Sequence, residues 1–150
     1  MKHRFENHDL TTERASQLID VTDDVRAAVE RAEIENGMAL VYSPHTTCAI
    51  VINELESGFI DDFGEFLDEL APAGRYYRHD DLEIRTQGIE DDTADFPNGH
   101  SHVRTGLLSS SSQTIPVVDG ELMLGTWQRI FFCELDRSRS RKVFIQVIGE

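Results

Sequence analysis

The stretch from Gln113 to Ile148 constrains this chain most, because it reads as strand after strand with no helix between. Gln113–Val118 and Glu121–Leu124 are rich in apolar residues. Only Asp119-Gly120 separates them, a dipeptide suited to the two positive-φ positions of a tight hairpin turn. Trp127–Leu135 and Lys142–Ile148 continue the series, with Asp136–Arg141 as a polar turn between them. A doubly wound parallel fold needs strand–helix alternation to its end, so this tail predicts antiparallel pairing.

Helices enter only upstream. Thr22 is a good N-cap, and Asp23 and Asp24 suit the positive end of a helix dipole. Val25, Ala28, Val29 and Ala32 follow at helical spacing, and Asn36-Gly37 closes that helix. Leu55, Phe59, Phe63, Phe66, Leu67 and Leu70 mark a second amphipathic helix, ended by Pro72 and Gly74. Asn98–Leu108 reads as a third, shorter one. Phe5–Thr11, Ser16–Val21, Met38–Tyr42 and Cys48–Asn53 read as extended pieces, and Gln87–Pro97 as an acidic loop without period. The expected fold class is therefore α+β: a largely antiparallel, two-layer, sandwich-like sheet with two or three flanking helices. Residues 1–150 form one domain, long enough to hold a core without staples.

Charge narrows the function classes. The formal net charge is −14, from 28 acidic and 14 basic residues, and Lys2 and Lys142 are the only lysines. Such a surface repels phosphate backbones, so nucleic acid is not an expected partner. An acid excess with few lysines suits a salt-adapted, halophilic cytoplasm in which ions screen the repulsion. No apolar run approaches the ~20 residues of a membrane helix, and no apolar segment follows the basic residues of the N-terminus. A cytoplasmic protein without membrane association is expected. Cys48 and Cys133 lie in apolar, strand-like stretches and read as two buried free thiols.

Four clusters can carry chemistry. In Ser43-Pro44-His45-Thr46-Thr47, Pro44 interrupts strand pairing and places His45 at a bend, with hydroxyls on both sides that suit phosphate oxygens. The plainer alternative is a polar turn. In Tyr77-Arg78-His79-Asp80-Asp81, a histidine beside carboxylates suits a metal ligand or a general base, or else a solvated loop. In Asn98-Gly99-His100-Ser101-His102, helical geometry turns residues two apart by about 200°, so His102 shares a face with Asn98 and not with His100. His102 is the functional candidate there and His100 is peripheral. In Gly125-Thr126-Trp127-Gln128, Trp127 is either core packing or an aromatic wall beside a ligand, with Gln128 as an amide donor. No phosphate-binding loop, dinucleotide fingerprint, Cys-x-x-Cys pair or nucleophile elbow occurs.

Taken together, His45-Thr46-Thr47, Ile52-Asn53-Glu54, Tyr77-Arg78-His79-Asp80-Asp81, Asn98-Gly99-His100-Ser101-His102, Ser109-Ser110-Ser111, Thr114-Ile115-Pro116-Val117, Gly125-Thr126-Trp127-Gln128 and Phe131-Phe132-Cys133-Glu134 resemble the YjbQ-like, or secondary thiamine-phosphate synthase, family. They run in the family's order over nearly the whole chain. The resemblance implies a homotrimer with a polar pocket near subunit boundaries. It also implies a transfer in which hydroxymethylpyrimidine diphosphate joins thiazole phosphate and pyrophosphate leaves. It assigns catalysis to His45, His79, His102 and Glu54, and contacts to a small phosphorylated substrate to Thr46, Thr47, Asn53, Asn98, Trp127 and Gln128. His45, His79 and His102 would hold a divalent metal, Zn or Mg. Positive charge for the leaving group comes from that metal or from Arg75, Arg78 and Arg104. Ser109 replaces a usual family glycine, and Glu90–Asp95 looks like an acidic insertion. A His-based metal-dependent hydrolase of a small phosphorylated metabolite and a non-enzymatic trimeric anion-binding module are the alternatives.

Overall fold

In a computed structural model of the protein, residues 1–89 and 97–150 are described. Eleven elements follow in order: β1 (Lys2–Thr11), β2 (Gln17–Asp20), α1 (Thr22–Ala32), β3 (Gly37–Tyr42), β4 (Cys48–Glu54), α2 (Ser57–Leu70), α3 (Gly99–Leu108), β5 (Ser112–Val118), β6 (Glu121–Leu122), β7 (Gln128–Glu134) and β8 (Ser140–Gly149). The strands form two antiparallel sheets, ordered β1-β8-β3-β5-β6 and β2-β7-β4. The α+β class with antiparallel sheets and three helices is as the sequence predicts.

Alternation along the strands makes the layers. Ala39, Val41, Ile115, Val117, Val143, Ile145 and Val147 leave the five-stranded sheet toward Cys48, Ile50, Ile130 and Phe132 of the three-stranded one. Val25, Ala28 and Val29 of α1 join the same core. The opposite face of the three-stranded sheet offers Ala49, Cys133 and Leu135 to Leu67 of α2, with Phe63 and Leu108 beside them. Both thiols are free and buried, and burial pushes Cys48 up to about 12.

The outward face of the larger sheet is also apolar. Phe5, Met38, Tyr42 and Val118 are exposed there. The Phe144 ring lies 5.4 Å from Phe5 and 6.1 Å from Tyr42, centroid to centroid.

Several local readings change. Helix α1 stops at Ala32, where Glu33 turns left-handed at φ 51°, and Gly37 opens β3 instead of ending the helix. Thr22 does not cap: its hydroxyl donates to Asp20 Oδ1 and accepts from the Ile130 amide, tying the start of α1 to β7. Residues 136–141 do not join a hairpin, because β7 and β8 belong to different sheets and the segment crosses between them. The Asp119-Gly120 turn forms as expected, with φ of 52° and 79° and Val118 opposite Glu121. The acidic stretch Glu90–Asp95 falls outside the described residues.

Candidate functional site

The sequence-matched residues fall into two groups at opposite ends of β4. At its start lie His45, Thr46 and Thr47, beside the end of β7, since Cys48 pairs with Glu134. At its finish Asn53 and Glu54 pair with Arg129 and Gln128, and Trp127 precedes them in the turn. Five strand residues, 48–52, lie between Thr47 and Asn53 and hold them about 20 Å apart.

The first group continues into a ribbon of polar contacts. Pro44 keeps His45 out of the ladder, and its half-buried ring accepts the Lys142 amide on Nε2 at 2.9 Å. Burial, followed by the Arg141 guanidinium, holds its pKa below the ordinary value. Arg141 forks onto Glu134, with Nε at 2.6 Å and NH2 at 2.8 Å from its two oxygens, and NH2 also donates to Thr47 Oγ1 at 3.1 Å. Glu134 is fully buried and Arg141 nearly so. The Asp136 amide donates to Glu134 at 2.9 Å, and Asp136 Oδ2 accepts from Arg139 at 3.3 Å and from Asn98 Nδ2 at 3.4 Å.

Asn98 then hands the ribbon to the other two histidines. Its Oδ1 faces His79 Nε2 at 3.1 Å, and the His79 ring lies 4.3 Å from that of His102. Because Asn98 Nδ2 points at Asp136, Oδ1 can only accept, so in the neutral ring His79 Nε2 carries the hydrogen. Arg85 then cannot donate to that nitrogen, and its NH1 bonds the His79 carbonyl at 3.0 Å instead. The lone pair of His79 is left on Nδ1. Burial, then the adjacent His79, lowers the pKa of His102.

Two contacts fix the frame. Asp80 Oδ1 accepts the Asn98 and Gly99 amides, each at 2.9 Å, anchoring the 77–85 segment to the head of α3. Gly99 permits that approach, since a Cβ there would sit 2.5 Å from Tyr77 Cβ.

The three-histidine metal set does not converge within one chain. Among the described residues no group of three His, Cys, Asp or Glu side chains could hold a metal ion. His45 illustrates the reason: its Nε2 lone pair is taken by Lys142, so in its neutral form Nδ1 carries the hydrogen and neither nitrogen is open to a metal. Arg104 is not a free cation either. It is buried beneath α2 and donates to the Ala71 carbonyl and Asp68.

Trp127 is 72% exposed, which removes the core-packing alternative. Gln128 Oε1 accepts the Gly125 amide, and Asn53 Oδ1 accepts the Glu54 amide. His100 is buried and bonded to Ser101 Oγ, so it braces α3. Sequence reasoning missed Asp136, Arg139, Arg141 and Arg85, and gave Glu134 no role. The signal available for the first three was the density of charge in 134–141 between two apolar strands.

The family model described as UPF0047 protein YjbQ-like matches residues 6–150. A UPF0047 protein of Archaeoglobus fulgidus is 40% identical over 139 residues, covering 93% of this chain and 97% of that one. The UPF0047 protein YugU of Bacillus subtilis is 33% identical over 141 residues, covering 93% and 96%. The crystal structure of a hypothetical protein from Aeropyrum pernix superposes with TM-score 0.83 at 35% identity, covering 98% and 99%. One from Clostridium acetobutylicum, described as a YjbQ/UPF0047 family protein, gives 0.80 at 36% identity, covering 95% and 99%. With the family pattern matched along this length and the same fold in these relatives, the chain belongs to the UPF0047 YjbQ-like family.

Proposed function

We propose that this protein is a thiamine-phosphate synthase-like transferase. The carrying observation is the contact between His79 and His102, brought together from separate segments, with Arg85 bonded to the His79 carbonyl. In the transfer, the thiazole nitrogen's lone pair forms a bond to the pyrimidine's methylene carbon. The bond from that carbon to the diphosphate oxygen breaks, and its electron pair leaves with pyrophosphate. The ring nitrogen ends as a cationic thiazolium, and no proton has to be removed. Catalysis then depends on donors aimed at the departing diphosphate, not on a strong base. Arg85 and the N–H groups of His79 and His102 are the donors we assign to it, while Thr46 and Thr47 offer hydroxyls at the His45 end. A metal held by the three histidines does not fit the donor set of one chain, so no step is assigned to it.

The trimer belongs to the same reading. Asn53 and Glu54, with Gln128 opposite, stand about 20 Å along β4 from the His45 end. For both groups to serve one reaction centre, a neighbouring copy must deliver the second group to the first, as a head-to-tail ring does. The apolar outer face around Phe5, Tyr42 and Phe144 is the surface we assign to that contact. Buried free thiols support a reducing cytoplasm, and the acid excess a salt-rich one.

The test is to incubate the protein with both precursors and magnesium and to follow thiamine phosphate. Losing one donor at His102→Ala or at His79→Ala is expected to slow turnover about 100- to 1,000-fold. Turnover equal to the parent's in both variants would sink the assignment.

A further inference from the structure

We propose that the concavity between the C-terminal end of α2, the 75–78 turn and α3 binds a small aromatic molecule bearing a phosphate group. Its volume is about 560 Å³, within the range of small-molecule sites. Its lining combines the apolar Leu70 and Val103, the aromatic Tyr76 and Tyr77 and the cationic Arg75 and Arg78.

The two arginines keep their charge unpaired among the described residues, in a chain where most guanidinium groups are in ion pairs: Arg31 with Glu6, Arg26 with Asp23, Arg104 with Asp68, Arg129 with Asp20, Arg139 with Asp136 and Arg141 with Glu134. Among the described residues, neither Arg75 nor Arg78 has a carboxylate within ion-pair distance, in a chain of net charge −14. Two guanidinium forks on one hollow match the geometry of phosphate oxygens. Asp80 and Asp81 line the adjoining hollow of about 220 Å³, which Arg75 also borders, and both are already occupied. Asp80 holds the Asn98 and Gly99 amides, and Asp81 holds the Tyr76 hydroxyl at 2.6 Å and the Glu83 amide at 3.1 Å.

The aromatic half of the ligand follows from the tyrosines. Both are fixed before any ligand arrives, Tyr76 by Asp81 and Tyr77 by donating to the Pro72 carbonyl at 3.0 Å. Rings held in place lose little freedom on stacking a planar guest. The site is separate from the histidine ribbon. Val103 lines it, while His102, one residue earlier and about 100° around the helix, meets His79. The proposal therefore stands without the transferase reading.

Phenyl phosphate is the probe, titrated calorimetrically into the full chain, with inorganic phosphate as competitor. One site per chain is expected, with phenyl phosphate at least tenfold tighter than inorganic phosphate. The double variant Arg75→Gln/Arg78→Gln should weaken it tenfold or more, Tyr76→Ala should erase its advantage over inorganic phosphate, and His102→Ala should leave it unchanged. Circular dichroism matching the parent's establishes that these surface variants fold. No binding to the parent, parent-like binding in the double variant, or loss in His102→Ala overturns the proposal.

Discussion

At the scale of single residues, the decisive feature is the orientation of Asn98. One amide reads two neighbours at once: its nitrogen must face Asp136 and its oxygen His79, which selects the His79 tautomer. Asn98→Asp removes the donor to Asp136 and sets two carboxylates against each other. Turnover in the thiamine-phosphate assay is expected to fall about tenfold to 100-fold, with a shifted pH profile, while Asn98→Ser falls less. An unchanged pH profile in Asn98→Asp would show that the amide does not set the imidazole's state.

At the scale of elements, the buried fork between Arg141 of β8 and Glu134 of β7 clamps the two sheets. Removing one partner strands the other's charge in the core, which costs about 3–5 kcal/mol. Arg141→Met should therefore lower the urea midpoint steeply. Arg141→Met combined with Glu134→Leu should recover much of the loss, and a double variant weaker than either single one would argue against this account. This clamp also marks where the sequence stopped being legible. Period and turn chemistry disclosed the strands, the Asp119-Gly120 hairpin and all three helices. They did not disclose that β7 and β8 part company into separate sheets, because a polar connector reads alike whether it reverses a strand or crosses a sandwich. The same gap hid Arg141 and Asp136, whose importance comes from burial and not from residue type. For the site, His102 and Asn98 were found from helical phase and His79 from its flanking carboxylates, all three matching the family pattern, and they meet. His45 was found from the Pro44 bend and the Glu54–Trp127 end from the family pattern, and these two lie apart, because linear order carries no distance along a strand.

At the scale of the whole molecule, acid acts twice with one sign. His45, His100 and His102 bind protons more weakly folded than at their ordinary value of 6.5, chiefly through burial. Stability they supply therefore falls as pH drops below about 6.5 and levels off beneath their folded values. Glu6, held down by Arg31 before its other partners, and Asp20, whose burial is outweighed by Thr22 and Arg129, are likewise lowered. Their contribution is complete above the ordinary carboxylate range and is lost only as pH falls toward their folded values. The melting temperature should decline between pH 7 and 5 and again below about 4.5, as thermal circular dichroism would record. A flat profile from pH 7.5 to 5.5 would contradict the histidine part. Added salt should act oppositely. Raising it from about 0.1 to about 1 M shortens the screening length from about 10 to about 3 Å, so melting should rise. Greatest stability at low salt would count against a salt-adapted origin.

Strand β1 has a consequence for how the molecule comes into being. It lies at the sheet margin, and all ten of its residues face β8. On the ribosome, β1 emerges ahead of β2–β7 and must wait until all of them have been translated before β8 gives its backbone a hydrogen-bonded mate. Until β8 follows, the unpaired backbone of β1 is an edge open to self-association during synthesis.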